Sequence, residues 1–336
     1  MKTAIVILNW NGEKLLKKFL PPVVQHSPGA TVYIADNAST DGSVLFVKTR
    51  FPSVKIIQNA ENYGYAGGYN EALKNIPEPL LVLLNNDVEV TENWLGPMAR
   101  LFKEDAALVA AQPKILDHKN KGSFEYAGAA GGFIDVLGYP FCRGRIFFHI
   151  ERDNGQYSDE APIFWASGAC MFVRSAAFKK VNGFDTHFFA HQEEVDLCWR
   201  LRAQGGKVMY SGASTVYHLG GATLAMANPK KTFFNFRNTL LLLLKNDGSP
   251  WVWCKIFVRL LLDGPTGLWF LLQGKPGHLF AIVKAHIGFY AQLPRFIKKR
   301  RQLATKTRYA AVPSIIWCYF VKRQRHYTHL KNGLFK

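Results

Sequence analysis

Four short apolar runs, rich in β-branched residues, punctuate the first quarter of this chain: TAIVIL (3–8), TVYIA (31–35), VKIIQ (54–58) and LLVLL (80–84). Their near-continuous apolar character marks strands covered on both faces, as in a parallel sheet. Helical patterns fall between and after them, roughly at 13–25, 41–50, 66–76 and 92–104. Thr91 suits the N-cap of the last one. Such alternation confines the chain to βαβ units and a Rossmann-like, mostly parallel α/β sheet with flanking helices.

Ligands of an open parallel sheet sit outside the carboxyl ends of its strands. The polar residues fall there. The first run leads into Asn9-Trp10-Asn11-Gly12, and the second into Asp36-Asn37-Ala38-Ser39. The third leads to Asn62-Tyr63-Gly64-Tyr65-Ala66-Gly67-Gly68-Tyr69-Asn70, and the fourth to Asn85-Asn86-Asp87. Any one of these clusters could be turn chemistry, which favours Asn, Asp and Gly. Four in register at one sheet edge point to a binding rim.

Each cluster has a use if the ligand is a nucleoside diphosphate. Trp10 offers an aromatic face to a base, and Asp36 can accept from a ring N–H or a ribose hydroxyl. Gly64, Gly67 and Gly68 let the backbone approach closely, just before a helix N-terminus that favours anions. Asp87 is a hard oxygen ligand for a divalent cation bridging two phosphates, Mg²⁺ or Mn²⁺ by ligand type. Asn9, Asn62, Asn70 and Asn86 complete the nucleotide-binding candidates. GYAGG is not GxGxxG, and no GxxxxGK[ST] occurs, which weighs against a dinucleotide site and excludes a P-loop.

From about 107 to 218 the pattern loosens. FWASGACMFV (164–173) reads as a strand interrupted by a glycine, and KVMYS and STVYH as short strands. EEVDLCWRLRAQGG (193–206) reads as a helix stopped by Gly205. On residue type alone, Glu193, Glu194 and Asp196 fit either a charged first helical turn or a catalytic carboxylate. Asp196 suits a structural pair with Arg200. His187 and His191 have the i, i+4 spacing of zinc ligands, yet Phe188 and Phe189 lie between them and no HExxH is present, so a loop or core placement is expected instead.

The charge is divided sharply. Residues 1–229 carry 22 Lys and Arg against 22 Asp and Glu, whereas residues 230–336 carry 20 against only Asp247 and Asp263, a net of +18. We expect a chemical module over 1–229 and a basic, helical module over 230–336 that meets something anionic. The segment 251–273 is very apolar, with Lys255, Arg259 and Asp263 spaced by four to make one narrow polar stripe. Such a helix lies in a membrane interface rather than crossing it. Apolar stretches of this length argue against nucleic acid as the partner. Five widely spaced cysteines without a CxxC read as buried thiols of a reducing compartment. The opening apolar run is too short for a secretory signal, so the sequence predicts a cytoplasmic protein, peripheral on the inner membrane face.

The ordered set VILNWNG, IADNASTDGS, NYGYAGGYN, LLNNDVEV, ASGACMFVR, GFDTHFFAHQEEVDLCWRLRAQG and VYHLGGAT covers residues 4 to about 223. It resembles the inverting family 2 glycosyltransferases of the GT-A fold. It is most similar to the bacterial rhamnosyltransferase-like subgroup that builds surface polysaccharide. The resemblance implies that Asp36 contacts the base and that Asn85-Asn86-Asp87 is a variant DxD triplet in which Asp87 binds the metal. It also implies that His218 is a late metal or phosphate contact. The family's catalytic Glu-Asp pair falls on Glu193-Glu194, a departure in its second member, with Glu194 favoured as base and Glu193 next to it.

The implied activity is transfer of a sugar, with rhamnose one candidate, from a UDP- or dTDP-type donor to a hydroxyl of a saccharide or lipid-linked saccharide. A metal-bound diphosphate leaves without a proton, so one carboxylate base suffices. Two other classes remain at this stage. A nucleotidyltransferase would carry a Gly-rich loop with Arg and Lys after the first strand, which NWNGEKLLKK lacks. A non-catalytic sugar-nucleotide-binding membrane scaffold would have no use for the retained carboxylates.

Overall fold

The computed structural model describes residues 1–220, 228–303 and 307–330. The first half runs β1 (Thr3–Asn9), α1 (Glu13–Gln25), β2 (Thr31–Asp36), α2 (Ser43–Arg50), β3 (Lys55–Gln58), α3 (Gly64–Ala72), β4 (Leu80–Asn85), β5 (Val88–Val90), α4 (Leu95–Glu104) and β6 (Leu108–Asp117). Short strands follow: β7 (Gly132–Ile134), β8 (Pro140–Cys142), β9 (Arg145–Ile146), β10 (His149–Ile150), β11 (Glu160–Pro162) and β12 (Cys170–Arg174). The remainder is α5 (Ser175–Lys180), α6 (Glu193–Ala203), β13 (Lys207–His218), α7 (Pro229–Asn246), α8 (Val252–Leu272) and α9 (Pro276–Leu303).

The main sheet has the order β11-β13-β6-β12-β4-β1-β2-β3, with β5 paired to β13. The strands β3, β2, β1 and β4 are mutually parallel, as expected from their two-sided apolar character. The other half is mixed, because β12 runs antiparallel to both β4 and β6. A smaller sheet, β10-β9-β8-β7, stands beside it.

Register explains the binding rim. Asn9 pairs with Asp36, and Leu8 with Asn85, so three strands reach one edge at the same level. Alternate residues of β1 enter opposite cores: Ala4 and Val6 on one face, Ile5 and Ile7 on the other. The first of these cores also receives Leu240–Leu244 of α7 and Phe289 and Phe296 of α9. The five leucines are fully buried. At roughly 1.5–3 kcal/mol per buried aliphatic side chain, α7 is part of the body of the protein.

Several local expectations shift. Thr91 caps no helix: α4 begins at Leu95, and the Thr91 hydroxyl donates to the Thr215 carbonyl at 2.7 Å. Only Cys170–Arg174 of the 164–173 segment is strand, and β13 is a single strand whose register slips between Ser211 and Thr215. Of the five thiols Cys254 is exposed and Cys318 half-buried, contrary to a uniformly buried set.

The polar stripe of α8 turns inward. Arg259 and Asp263 are buried and paired at 3.1 Å, and the guanidinium lies 3.5 Å from the centre of the Tyr139 ring. His286 of α9 reaches Asp263 at 3.0 Å, and Lys255 reaches Asp247 at 2.7 Å. The opposite face therefore points outward with Trp253, Phe257, Leu261, Leu268 and Leu272 exposed. Among the described residues no helix is long and apolar enough to cross a membrane.

Candidate functional site

At the carboxyl end of β4 the chain turns tightly through Asn86 and Asp87 into β5. β5 pairs with the end of β13, which sets Val88 opposite His218. The His218 Nε2 donates to Asp87 Oδ1 at 3.1 Å and lies 3.4 Å from Asn85 Nδ2, while Nδ1 lies 3.4 Å from Glu125 Oε1. All three of Asp87, Glu125 and His218 are buried. Burial lowers the imidazole pKa, but hydrogen bonding to Asp87 and Glu125 outweighs it and lifts His218 to about 10. Glu125 went unnoticed in the sequence, for it lies in an aperiodic stretch far from His218.

The carboxylate of Asp87 suits a hard divalent cation. Asp87 supplies the hard carboxylate oxygen for Mg²⁺ or Mn²⁺, and His218 would join it as a ligand only on giving up the Nε2 proton that it donates to Asp87. Among the described residues no group of three or more His, Cys, Asp or Glu side chains is arranged to hold a metal alone. Gly221 and Thr223, the end of the VYHLGGAT motif, lie outside the described residues.

The nucleotide end is a hydrogen-bonded amide network. Asn9 Nδ2 donates to Asp36 Oδ1 (3.3 Å) and Ser39 Oγ (3.2 Å), and Asn86 Nδ2 donates to Asn9 Oδ1 at 3.0 Å. Asp36 is fully buried, and its second oxygen accepts from the Ser39 amide at 3.0 Å. It thus braces the rim loops through Asn9 and Ser39. Trp10, the residue after β1, is exposed. Asn62 Oδ1 accepts from the Gly64 amide at 3.0 Å and from Asn37 at 3.3 Å. Gly64 opens α3 with φ +68°, and a Cβ there would come within 3.2 Å of the Phe189 ring. Asn70 is spent elsewhere: its amide donates to the Phe184 carbonyl (2.8 Å) and its oxygen accepts from the Phe184 amide (2.9 Å).

Glu193 and Glu194 open α6. Glu193 is buried and Glu194 partly so, and each has an Oε2 shielded from solvent without a hydrogen-bond partner. Burial lifts the Glu194 carboxyl to about 7. Burial, and then the neighbouring Glu194 charge, pushes Glu193 well above the usual carboxylate range. Asp196 behaves in the opposite way. Although fully buried, it accepts from Arg200 (2.8 Å), Lys245 (2.8 Å) and Asn246 (2.9 Å), and the two cations hold it below the usual range. It is the structural member of the trio, paired with Arg200 as expected.

One buried group lies within electrostatic range of both ends of the site. The Cys142 thiol, raised by burial, feels the charges of both Glu125 and Glu194. On the α3 side the Tyr65 hydroxyl, which donates to the Gly168 carbonyl at 2.8 Å, feels Glu193 and Glu194. A cavity of about 490 Å³ lined by Asp247, Lys255 and Tyr309 lies apart from these groups. His187 and His191 do not share a helix: His187 lies in a 3₁₀ turn (Thr186–Phe188) bonded to Asp185 at 3.0 Å, and His191 precedes α6.

This geometry agrees with comparison to known proteins. The chain is 29% identical over 206 residues to N-acetylglucosaminyl-diphospho-decaprenol L-rhamnosyltransferase of Mycobacterium tuberculosis, a match covering 56% of this chain and 66% of that protein. Rhamnosyltransferase WbbL of Escherichia coli is 40% identical over 62 residues, 18% of this chain and 23% of that protein. The fold superimposes on S. aureus TarS 1–349 in complex with UDP-GlcNAc with a TM-score of 0.56 at 13% identity, covering 90% of this chain and 92% of that one. It also superimposes on the Pyrobaculum calidifontis mannosyltransferase PcManGT in complex with GDP-Man and Mn²⁺, with a TM-score of 0.53 at 12% identity over 86% and 87% of the two chains. At such identities the likeness concerns the fold, the GT-A architecture. The family model for glycosyl transferase family 2 matches residues 4–181, more than half of the 336 residues, and the chain therefore belongs to that family.

Proposed function

We propose that this protein is an inverting glycosyltransferase that moves a hexose, rhamnose foremost, from a UDP- or dTDP-sugar to a hydroxyl of a lipid-linked saccharide in surface polysaccharide synthesis. The observation that carries the reading is the Glu194 carboxyl. It has one shielded oxygen free of partners and a pKa lifted to about 7 by burial, poised for a general base at neutral pH. In the reaction the acceptor oxygen attacks the anomeric carbon and gives its proton to Glu194. The bond to the diphosphate oxygen breaks on the opposite face, and the diphosphate leaves with the electron pair. A bound Mg²⁺ or Mn²⁺ supplies Lewis-acid stabilisation of that leaving charge. Asp87 and His218 anchor the diphosphate end, Trp10 faces the base, and Asn9, Asn86 and Asp36 keep the rim in shape. The name of the M. tuberculosis relative, a rhamnosyltransferase with a decaprenol-linked substrate, supports the sugar and acceptor class.

The outward apolar face of α8 supports a peripheral seat on an anionic membrane, where such an acceptor resides. That seat is the inner face of the cytoplasmic membrane.

A panel of UDP-, dTDP- and GDP-sugars with Mn²⁺ and a lipid-linked acceptor tests the reading. Release of nucleoside diphosphate with one donor, lost in Glu194→Gln while donor binding persists, is the expected result. Transfer at the wild-type rate by both Glu194→Gln and Glu193→Gln would overturn the assignment of the base.

A further inference from the structure

The segment that delivers Glu193 and Glu194 has an unusual backbone. Phe189, His191 and Gln192, none of them glycine, have φ of +60°, +67° and +74°. A left-handed residue with a side chain costs about 1–2 kcal/mol, so three within four positions will not persist unaided. Gln192 also occupies the N-cap of α6 without a side-chain capping bond. Relaxation here would swing the first turn of the helix, and with it both carboxylates.

One side chain from the C-terminal region spans this elbow. Asn238, fully buried in the middle of α7, directs its Nδ2 at the carbonyls of Phe188 (2.9 Å), Ala190 (2.9 Å) and His191 (2.7 Å). Its Oδ1 accepts from Arg237 Nε at 2.9 Å. Arg237 Nη2 in turn donates to the His187 carbonyl at 3.2 Å. The three buried carbonyls share the two Nδ2 hydrogens, and that of Phe188 also accepts from the Ala190 amide at 2.7 Å, so this buried backbone keeps its partners. The outer end of the segment is tied as well, since Asp185 accepts from Lys245 of α7 (2.7 Å) and Lys299 of α9 (2.6 Å).

We propose that Asn238, oriented by Arg237, is a positioning residue for transfer: it holds the strained 188–192 elbow so that Glu194 faces the acceptor hydroxyl. The proposal rests on Glu194 being the base. It assigns a catalytic duty to α7, which lies outside the residues matched by the family model.

The groups within electrostatic range of Glu194 define what should change when the elbow relaxes. They are Glu193 on α6, Tyr65 on α3, Cys142 on β8 and Cys198 on α6, while Lys231 of α7 faces His191. None of them donates a charged hydrogen bond to Glu194, so burial keeps its pKa high. A loosened elbow admits water, and the carboxyl returns toward its ordinary value.

The test uses the full chain, the donor identified by the panel and the lipid-linked acceptor. In Asn238→Ala, kcat falls about 10- to 100-fold, the nucleotide KM stays within about twofold, and the acid limb of the kcat profile moves down by about one pH unit or more. Arg237→Lys, which keeps the charge but loses the fork, shows the same pattern more weakly. Unchanged kcat and pH profile in both variants overturns the proposal. So does a loss of kcat and donor affinity in parallel, because that is a general fold defect. If Asn238→Ala does not fold, Arg237→Lys decides by the same readouts. Full transfer by Glu194→Gln sinks the reading of the base and this proposal with it. A dead Glu194→Gln beside unaffected Asn238→Ala and Arg237→Lys sinks this proposal alone.

Discussion

Lys245, near the end of α7, donates to Asp196 at 2.8 Å, two positions past the carboxylate assigned as base. Both side chains are nearly or wholly buried, and Lys245 also reaches Asp185 at 2.7 Å. Breaking a buried pair by removing one partner strands the other, at a cost of about 3–5 kcal/mol. Lys245→Met should therefore lower the denaturation midpoint strongly, and Lys245→Met with Asp196→Asn should lose less than the sum of the two. Additive losses, measured by chemical denaturation, would show that the pair is not coupled.

Raised carboxyl pKa values make a paired statement about pH. Glu194 acts as a base only when ionised, so kcat should rise with pH through about 7. In the unfolded chain the same group titrates near about 4.3. The folded state therefore holds this proton longer. Its contribution to stability is complete below the unfolded value and is lost as pH rises through about 7. Glu194→Gln should remove much of that decline, as read from denaturation midpoints between about pH 4.5 and 8.

Asp87→Ala should weaken Mn²⁺-supported nucleotide binding, since it removes the one carboxylate at the end of β4. Glu125→Gln should act on the same quantity through His218, because an outer carboxylate that orients a ligating imidazole contributes about 10- to 100-fold in metal affinity. Titration calorimetry of UDP or dTDP with and without Mn²⁺ measures both. Equal affinity in the presence and absence of the ion for wild-type protein would contradict the assignment of Asp87.

The outward face of α8 predicts a membrane phenotype separable from chemistry. Phe257→Glu with Leu261→Glu should reduce flotation with anionic phosphatidylglycerol vesicles and leave turnover of a water-soluble acceptor analogue unchanged. Binding by the wild type should weaken with salt, as each basic residue near such a surface contributes about 1 kcal/mol. Undiminished flotation of the double variant would place the contact elsewhere.

Much of the site was legible without coordinates because its carriers are local. A β-branched apolar run followed by Asn or Asp identifies a strand end, and parallel register aligns such ends at one edge. Asn9, Asp36 and Asn85 accordingly meet where the sequence predicts. The acidic start of α6 was equally plain, though which carboxylate is buried unpaired and which is neutralised was not. Glu194 and Asp196 look alike in a sequence and differ in whether Arg200 and Lys245 arrive.

Alone, the sequence determined the strand and helix periods, the chemistry at each strand end, and the concentration of positive charge after residue 230. Only the tertiary structure decided that α7 belongs with the catalytic body and reaches Phe188, Ala190 and His191 through Asn238. It alone set Glu125 behind His218, and turned Arg259 and Asp263 inward so that apolar side chains of α8 meet the outside. The physical reason is that periodicity is written in neighbouring residues, whereas the direction a face points depends on what packs against it. Here the polar face of α8 finds Tyr139 and His286, partners far along the chain that no local pattern announces.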